Sequence, residues 1–180
     1  MTGKIVNSTF ISLDGVVNHM EHWHFDLIDE DTNRLTLEQL TAADALLMGR
    51  KTYEAYAGVW PGRDGAYADR INSMPKYVAS RTLERADWEH STVLKGDLIE
   101  EVETIKGESD ERLLMHGFGP VARALLRHGL LDELHLWLHP VLAGVGTVED
   151  TILTEGLNAR LELVGTETFG SGVVVLSYRV

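Results

Sequence analysis

The chain has 180 residues, of which 44% are hydrophobic, no cysteine and a formal net charge of −12. This length suits one compact α/β domain, and we expect a single domain over residues 1–180. The absence of cysteine excludes disulfides and thiolate metal sites. The acidic balance, without a Lys/Arg cluster, argues against nucleic acid as a partner. No apolar run approaches the roughly 20 residues that cross a bilayer, and no signal-peptide pattern is present, so we expect a cytoplasmic protein without a membrane partner.

Strand and helix patterns alternate along the chain. Short β-branched or apolar runs predict strands at 4–13, 45–48, 76–80, 93–94, 112–115 and 133–141. Helical spacing or composition predicts helices within 26–41, over 98–105 before Gly107, and over 120–128. Residues 161–169 and 173–180, joined by Gly170-Ser171-Gly172, predict a closing antiparallel hairpin. We therefore expect an α/β fold with a mixed, mostly parallel sheet covered on both faces.

One strand exit carries an anion-binding pattern. The buried strand candidate 45–48 ends at Gly49-Arg50-Lys51-Thr52, and a helix pattern follows. Free backbone N–H groups at a helix N-terminus attract phosphate, and a glycine lets the ligand approach the backbone closely. The alternative is a plain strand-to-helix turn that Thr52 caps.

The segment Met48-Gly-Arg-Lys-Thr-Tyr-Glu54 resembles the cofactor-binding motif of the dihydrofolate reductase-like superfamily. Four further segments resemble that superfamily in its own order, at 12–15, 80–82, 117–120 and 129–146. In particular, the chain resembles stand-alone bacterial proteins similar to the reductase half of the bifunctional riboflavin-biosynthesis enzyme. The resemblance implies a three-layer α/β/α fold and NADPH as the cofactor.

The resemblance also implies which residues bind NADPH. Gly49, Arg50, Lys51 and Thr52 are expected near one end of its phosphate chain, and Gly117, Phe118 and Gly119 near the other. Ser80 and Arg81 match the strand exit that holds the adenosine 2′-phosphate, where arginine can act as a planar bidentate donor. Arg50 is a second candidate for that role. The alternative for Arg81 is an exposed turn arginine.

The candidates for the chemistry are two carboxylates. Asp14, at the first strand's exit, is the first candidate for a polar group near the nicotinamide and substrate, and Asp26 is the second. The alternative for Asp14 is a turn residue preceding Gly15. Riboflavin-type reductases tend to carry a glutamate and paired glycines where this chain has His116-Gly117-Phe118, so their substrate contact is not carried over.

Residues 19–26 are rich in histidine, but their spacing suits no single helix face, so we expect no metal site. Trp23, in the same segment, is a candidate substrate contact. Its ring can stack on a flat heterocycle or pack under the loop.

The function that these residues predict is an NADPH-dependent reductase, which transfers hydride to a pterin, an aminopyrimidine or a similar small heterocycle. One alternative is a sensor that binds NADPH or a flavin without turnover. Another is a structural or partner-binding module on a degenerate reductase fold.

The strand pattern at 133–141 predicts an assembly. Leu134, Leu136 and Leu138 alternate with polar or aromatic residues, so the aliphatic face should pack on its own core. Trp137 lies on the other face and needs cover, either from a helix of the same chain or from a second subunit. We expect a homodimer with Trp137 near the two-fold axis.

Overall fold

The structure is a computed structural model that describes residues 2–180. Its eight strands are β1 (Lys4–Ile11), β2 (Ala45–Gly49), β3 (Lys76–Ala79), β4 (Ser91–Leu94), β5 (Arg112–His116), β6 (Glu133–Leu138), β7 (Glu162–Thr168) and β8 (Val174–Arg179). Its five α-helices are α1 (Glu30–Thr41), α2 (Arg50–Ala57), α3 (Ala66–Ser73), α4 (Leu98–Glu108) and α5 (Pro120–Arg127). Short 3₁₀ turns lie at Met20–His22, Phe25–Leu27 and Val148–Asp150.

The strands form one sheet in the order β4-β3-β2-β5-β1-β6-β8-β7. Every pair from β4 to β6 is parallel, and β8 pairs antiparallel with both β6 and β7. The mixed, mostly parallel sheet with a closing hairpin is therefore confirmed. Because β1, β2, β3 and β5 are parallel neighbours, their carboxyl ends meet at one edge of the sheet.

Two apolar layers cover the sheet. In β2, Leu47 faces the layer that contains Leu125 of α5. Leu46 faces the opposite layer, with Leu40 of α1 and Ile71 of α3. All five side chains are fully buried. A strand buried on both faces reads as a continuous hydrophobic run, which explains the sequence pattern and gives the three-layer α/β/α architecture.

Some element boundaries differ from the prediction. Helix α1 begins at Glu30, because Asp29 accepts from the Thr32 backbone N–H and caps it. Strand β6 ends at Leu138. Helix α4 continues through Gly107 to Glu108. Helix α3 has no counterpart in the sequence prediction, since it follows a Pro- and Gly-rich loop and spans only eight residues. Within residues 2–180, no helix is both long and apolar enough to cross a membrane.

The expected position of Trp137 at a subunit interface is wrong. Its side chain is 0% exposed and packs on Phe169, Val173 and Val175 of the closing hairpin region. Its indole N–H donates to Ser8 Oγ at 2.8 Å. Leu35 of helix α1 also packs against this cluster. The cover therefore comes from the hairpin region and a helix of the same chain, so Trp137 does not mark a subunit interface.

Candidate functional site

The candidate cofactor residues lie at the ends of neighbouring strands. Gly49 ends β2, Ser80 follows β3, and Gly117 follows β5. Strand β2 lies between β3 and β5 in the sheet. The fold thus brings three segments that are far apart in sequence to one sheet edge.

Two helices begin at this edge without side-chain caps. Gly49 is the N-cap of α2 and Gly119 is the N-cap of α5, and neither N-cap makes a side-chain capping hydrogen bond. By contrast, Asp29 and Asp97 cap α1 and α4. The first N–H groups of α2 therefore remain available to an anion, as do those of Val121 and Ala122 in α5, where Pro120 has no N–H. Both helix dipoles favour an anion.

Glycine is required at two positions of this edge, for a different structural reason at each. Gly117 has φ +76°, a left-handed conformation that suits glycine, and a Cβ there would meet no atom within 4 Å. The space above this turn is therefore open. A Cβ at Gly49 would lie 3.3 Å from Val121 Cγ2 of α5. Gly49 thus lets α5 pack closely on the end of β2.

Arg50 connects two strand exits. Its Nε donates to Glu54 Oε1 and its Nη1 donates to Thr82 Oγ1, both at 2.7 Å. The turn after β3 is organised by Ser80, whose Oγ accepts from the backbone N–H groups of Thr82 and Leu83 at 3.3 and 3.0 Å. The first turn of α2 and the turn 80–82 therefore form one continuous wall.

Two cations on this wall have no protein partner. Arg81 and Lys51 are exposed, and within the part of the chain that the structure describes neither makes an ion pair or a side-chain hydrogen bond. In a protein with a net charge of −12, they supply positive charge beside two helix N-termini.

Thr52 and Phe118 differ in what they offer to a ligand. The Thr52 hydroxyl has no hydrogen-bond partner in residues 2–180, and Gly49 rather than Thr52 is the N-cap of α2. The Phe118 ring is 4% exposed within the apolar layer on the α5 side. Only the backbone of Phe118 can meet a ligand, so the expected cofactor contact stays a prediction for its peptide groups and is disfavoured for its ring.

Asp14 acts as an anchor between two loops. Its carboxylate accepts from Ser12 Oγ at 2.6 Å and from the backbone N–H groups of Ala143 and Gly144, both at 2.8 Å. These bonds, with the Ser12 hydroxyl first, lower the pKa of Asp14 to about 2. This favours the turn interpretation and argues against Asp14 as a proton donor. Asp26 lies exposed on a 3₁₀ turn.

Trp23 packs under its loop. The side chain is 5% exposed, and its indole N–H donates to the Asn18 carbonyl at 2.9 Å. The ring makes an edge contact with His139, with centroids 5.1 Å apart. The structure therefore favours packing over the expected substrate contact.

Two functional candidates were missed by the sequence analysis. Asn7, in the middle of β1, is 0% exposed, and its Nδ2 donates to the carbonyl of Gly117 at 2.7 Å. His116, the last residue of β5, lies 3.0 Å through Nδ1 from the Tyr56 hydroxyl of α2. The signal for Asn7 was a polar residue inside an otherwise buried strand. For His116 it was an ionisable residue directly before a glycine turn.

One surface cavity lies behind this edge rather than on it. It has a volume of about 470 Å³ between α2 and the segment 83–88, and Tyr53 and Trp88 belong to its lining. None of the glycine-turn residues lines it. In the described chain, no group of three or more His, Cys, Asp or Glu side chains is placed to hold a metal ion.

An open α/β sheet with two glycine turns and two uncapped helix N-termini at one edge is the kind of arrangement that, on general grounds, suits a phosphate-containing ligand. The model of the RibD C-terminal domain family matches residues 3–175. The chain belongs to this family.

Individual relatives agree with this assignment. The uncharacterized protein YyaP of Bacillus subtilis (strain 168) is 26% identical over 180 residues, which cover 97% of this chain and 94% of that protein. A putative riboflavin biosynthesis protein from Shewanella sp. PV-4 has a similar structure, with a TM-score of 0.77, 22% identity and coverage of 100% and 99%. The structure of the diaminohydroxyphosphoribosylaminopyrimidine deaminase/5-amino-6-(5-phosphoribosylamino)uracil reductase of Thermotoga maritima is also similar, with a TM-score of 0.68 and 15% identity. The match covers 99% of this chain and 56% of the Thermotoga chain. These structures show a shared fold, and the family match confirms the resemblance drawn from the sequence motifs.

Proposed function

We propose that the protein is an NADPH-dependent reductase that transfers hydride to a small heterocycle of the pterin or ribosylaminopyrimidine type. The observation that carries the proposal is the pair of uncapped N-termini of α2 and α5 at adjoining strand ends, beside the open turn at Gly117. This arrangement suits a diphosphate that spans the two helices.

The residues present fit NADPH. The first backbone N–H groups of α2 and α5 would hold the two ends of the phosphate chain, and the left-handed turn at Gly117 leaves room for it. Arg81 would pair with the 2′-phosphate, with Arg50 held beside it by Thr82. When bound, the cofactor supplies the hydride, and the protein supplies orientation and electrostatics.

The substrate class is supported by the relatives rather than by a residue carried over from them. A reductase of 5-amino-6-(5-phosphoribosylamino)uracil is among the structural neighbours, and the chain belongs to the RibD C-terminal domain family. Hydride addition to a C=N or C=O bond also requires a proton. Since the pKa of Asp14 is held near 2, its carboxylate remains ionised near neutral pH and does not donate that proton. In the proposed reaction, the proton comes from solvent.

Loss of NADPH absorbance with a panel of dihydropterins, ribosylaminopyrimidines and quinones tests this proposal, with cofactor affinity measured separately by calorimetry. Turnover with a pteridine or pyrimidine supports the proposal. Tight NADPH binding without turnover of any compound would favour a sensor. If saturating nucleotide gives no thermal shift, a structural module is favoured, because ligand at 100 times its dissociation constant should add about 2.7 kcal/mol.

A further inference from the structure

His116 occupies the middle of the candidate edge. It is the last residue of β5, which lies between β1 and β2, and it directly precedes Gly117. Side chains alternate along a strand, so His116 lies on the same face as Leu114, towards α1, α2 and α3. The contact with Tyr56 of α2 agrees with this placement. The imidazole therefore lies beside the glycine turn but on the face opposite α5.

A wall of aromatic rings continues from His116. The rings of Tyr56 and His116 have centroids 5.8 Å apart, Tyr56 and Trp60 6.5 Å, and Trp60 and Tyr67 4.7 Å. All four side chains are partly exposed. Such a wall suits the face of a flat heterocycle, and a polar group at its end would meet that heterocycle's edge.

The hydrogen bond to Tyr56 favours one of the two nitrogens of His116 as the site of the proton. Burial raises the pKa of the Tyr56 hydroxyl and lowers the pKa of His116 to about 4, so both groups are neutral near pH 7. The Tyr56 hydroxyl has no other acceptor in residues 2–180. It is satisfied by donating to Nδ1, and a neutral imidazole with an accepting Nδ1 carries its proton on Nε2.

The Nε2 atom of His116 is the group left for a ligand. It has no hydrogen-bond partner among the described residues, and it is not one of the fully buried unsatisfied atoms. It can therefore donate one hydrogen bond from the wall.

We propose that His116 determines substrate specificity by presenting a neutral Nε2–H donor, so that the substrate edge it meets carries a carbonyl oxygen rather than an amino group. This inference rests on the proposed function, since it places the substrate beside the glycine turn. Tyr56 is the positioning residue, because its hydroxyl fixes the tautomer of His116.

Two pteridines of nearly the same shape test the inference. Lumazine presents carbonyl oxygens where 2,4-diaminopteridine presents amino groups, and the affinity of each is measured by calorimetry with and without NADPH. The wild type should prefer lumazine by at least about tenfold, since an amino group facing Nε2–H leaves two donors unpaired. His116→Glu replaces the donor with an acceptor and should reverse the preference. His128→Gln, at an exposed histidine beyond α5, is the matched control and should keep it.

The position of the proton on His116 can be measured directly by NMR. The ¹⁵N signals of His116 at pH 7 should show a proton on Nε2 in the wild type, and Tyr56→Phe should mix the two tautomers and reduce the preference for lumazine. A proton fixed on Nδ1, an unchanged affinity ratio in folded His116→Glu, or binding of neither pteridine would each overturn the inference. If NADPH fails to bind while lumazine is still preferred through His116, the proposed function fails and the specificity role remains.

Discussion

The carboxamide of Asn7 holds the carbonyl of Gly117 at 2.7 Å, across the boundary between β1 and the turn after β5. Asn7 is fully buried, and its Oδ1 accepts from Thr9 Oγ1 at 2.6 Å. The Gly117 backbone N–H donates to the Ser8 carbonyl at 3.2 Å. Strand β1 thus holds the turn at Gly117 through two hydrogen bonds, one to the Gly117 carbonyl and one from the Gly117 N–H.

Asn7→Ala should weaken NADPH binding and also destabilise the fold. The substitution leaves the Gly117 carbonyl and the Thr9 hydroxyl without their partners, which costs about 1–3 kcal/mol for each buried group. The control is Thr9→Val, which removes one donor to Asn7 and leaves the bond to Gly117 in place. Calorimetry with NADPH and urea denaturation measure the two effects. Equal NADPH affinity in folded Asn7→Ala and Thr9→Val would contradict a positioning role.

Gly117→Val should abolish NADPH binding while the domain stays folded. Valine at φ +76° costs at least about 1–2 kcal/mol of strain, and its side chain would occupy the open space expected for the phosphate chain. Gly129 has φ +68° and open space as well, but it follows α5, away from the candidate edge. Gly129→Val should therefore lose similar stability and keep the cofactor. Unchanged nucleotide affinity in Gly117→Val would show that the turn is only structural.

Arg81→Ala should weaken NADPH far more than NADH. The reason is that Arg81 has no hydrogen-bond or ion-pair partner within residues 2–180 and lies next to Ser80, where the 2′-phosphate is expected. A planar guanidinium pairs with phosphate through two charge-assisted hydrogen bonds, which together contribute about 1.5–3 kcal/mol, or about 10- to 100-fold in affinity. Arg160→Ala, at an exposed arginine between β6 and β7, controls for net charge. A proportional loss of both cofactors would remove Arg81 from this role.

The fold followed from the sequence where local patterns and burial agree. The run Ala45–Met48 is apolar throughout because both faces of β2 are covered, and the Gly170–Gly172 link predicted the pairing of β7 with β8. The order of strands was not predictable residue by residue. β5 inserts between β1 and β2 through contacts more than 60 residues apart in sequence. Resemblance to a known superfamily, rather than periodicity, supplied that architecture.

The candidate site was predictable at its glycines and less so at its side chains. Close packing against Val121 requires a glycine at position 49, and a left-handed backbone favours a glycine at position 117. Both requirements are therefore visible in the sequence as glycines. The positions of the Trp23 and Phe118 rings depend on tertiary packing, which places both inside the protein. A hydrophobic aromatic in a loop gives no local sign of whether it is covered.

The homodimer stays a prediction, but its interface is now expected at a surface other than Trp137. Exposed apolar side chains remain on the edge strand β7, at Leu163 and Val164, and in the loop after β6, at Leu142. Sedimentation equilibrium should give about twice the 20.0 kDa chain mass. Leu163→Glu and Leu142→Glu distinguish the two surfaces, because only the variant at the interface should dissociate the dimer. A monomer of the wild type at micromolar concentration would end the proposal.

Trp137→Glu should unfold the protein rather than merely separate subunits. The variant loses a fully buried indole and its bond to Ser8, and it places a carboxylate in an apolar cluster. The loss of the aromatic packing alone is expected to cost about 3–5 kcal/mol. Circular dichroism on the purified variant checks this, and a folded Trp137→Glu would contradict the burial described here.

The last prediction concerns acid stability and a buried histidine pair. His24 Nδ1 lies 2.9 Å from His139 Nε2, and His139 Nδ1 lies 2.7 Å from the Trp137 carbonyl. With both rings neutral, His139 donates to that carbonyl and accepts from His24. Burial first, and then the neighbouring His139, lower the pKa of His24 to about 4, and burial lowers that of His139. Phe10 stacks on His24 and Trp23 packs on His139, so the rings that face the pair carry no charge to stabilise a proton.

The pair should make the protein less stable as the pH falls from about 6.5 towards 4. An unfolded histidine binds its proton near pH 6.5, whereas folded His24 binds it only near pH 4, so unfolding takes up protons in this window. Each such histidine contributes at most about 1.4 kcal/mol per pH unit. His24→Gln keeps a neutral donor towards His139 and should reduce the slope of unfolding free energy by about 1 kcal/mol per pH unit. His22→Gln, at an exposed position in the same loop, should leave it unchanged. Urea denaturation at pH 7.5, 6.5, 5.5 and 4.5 measures the slopes, and an equal slope in wild type and His24→Gln would show that the pair does not control acid stability.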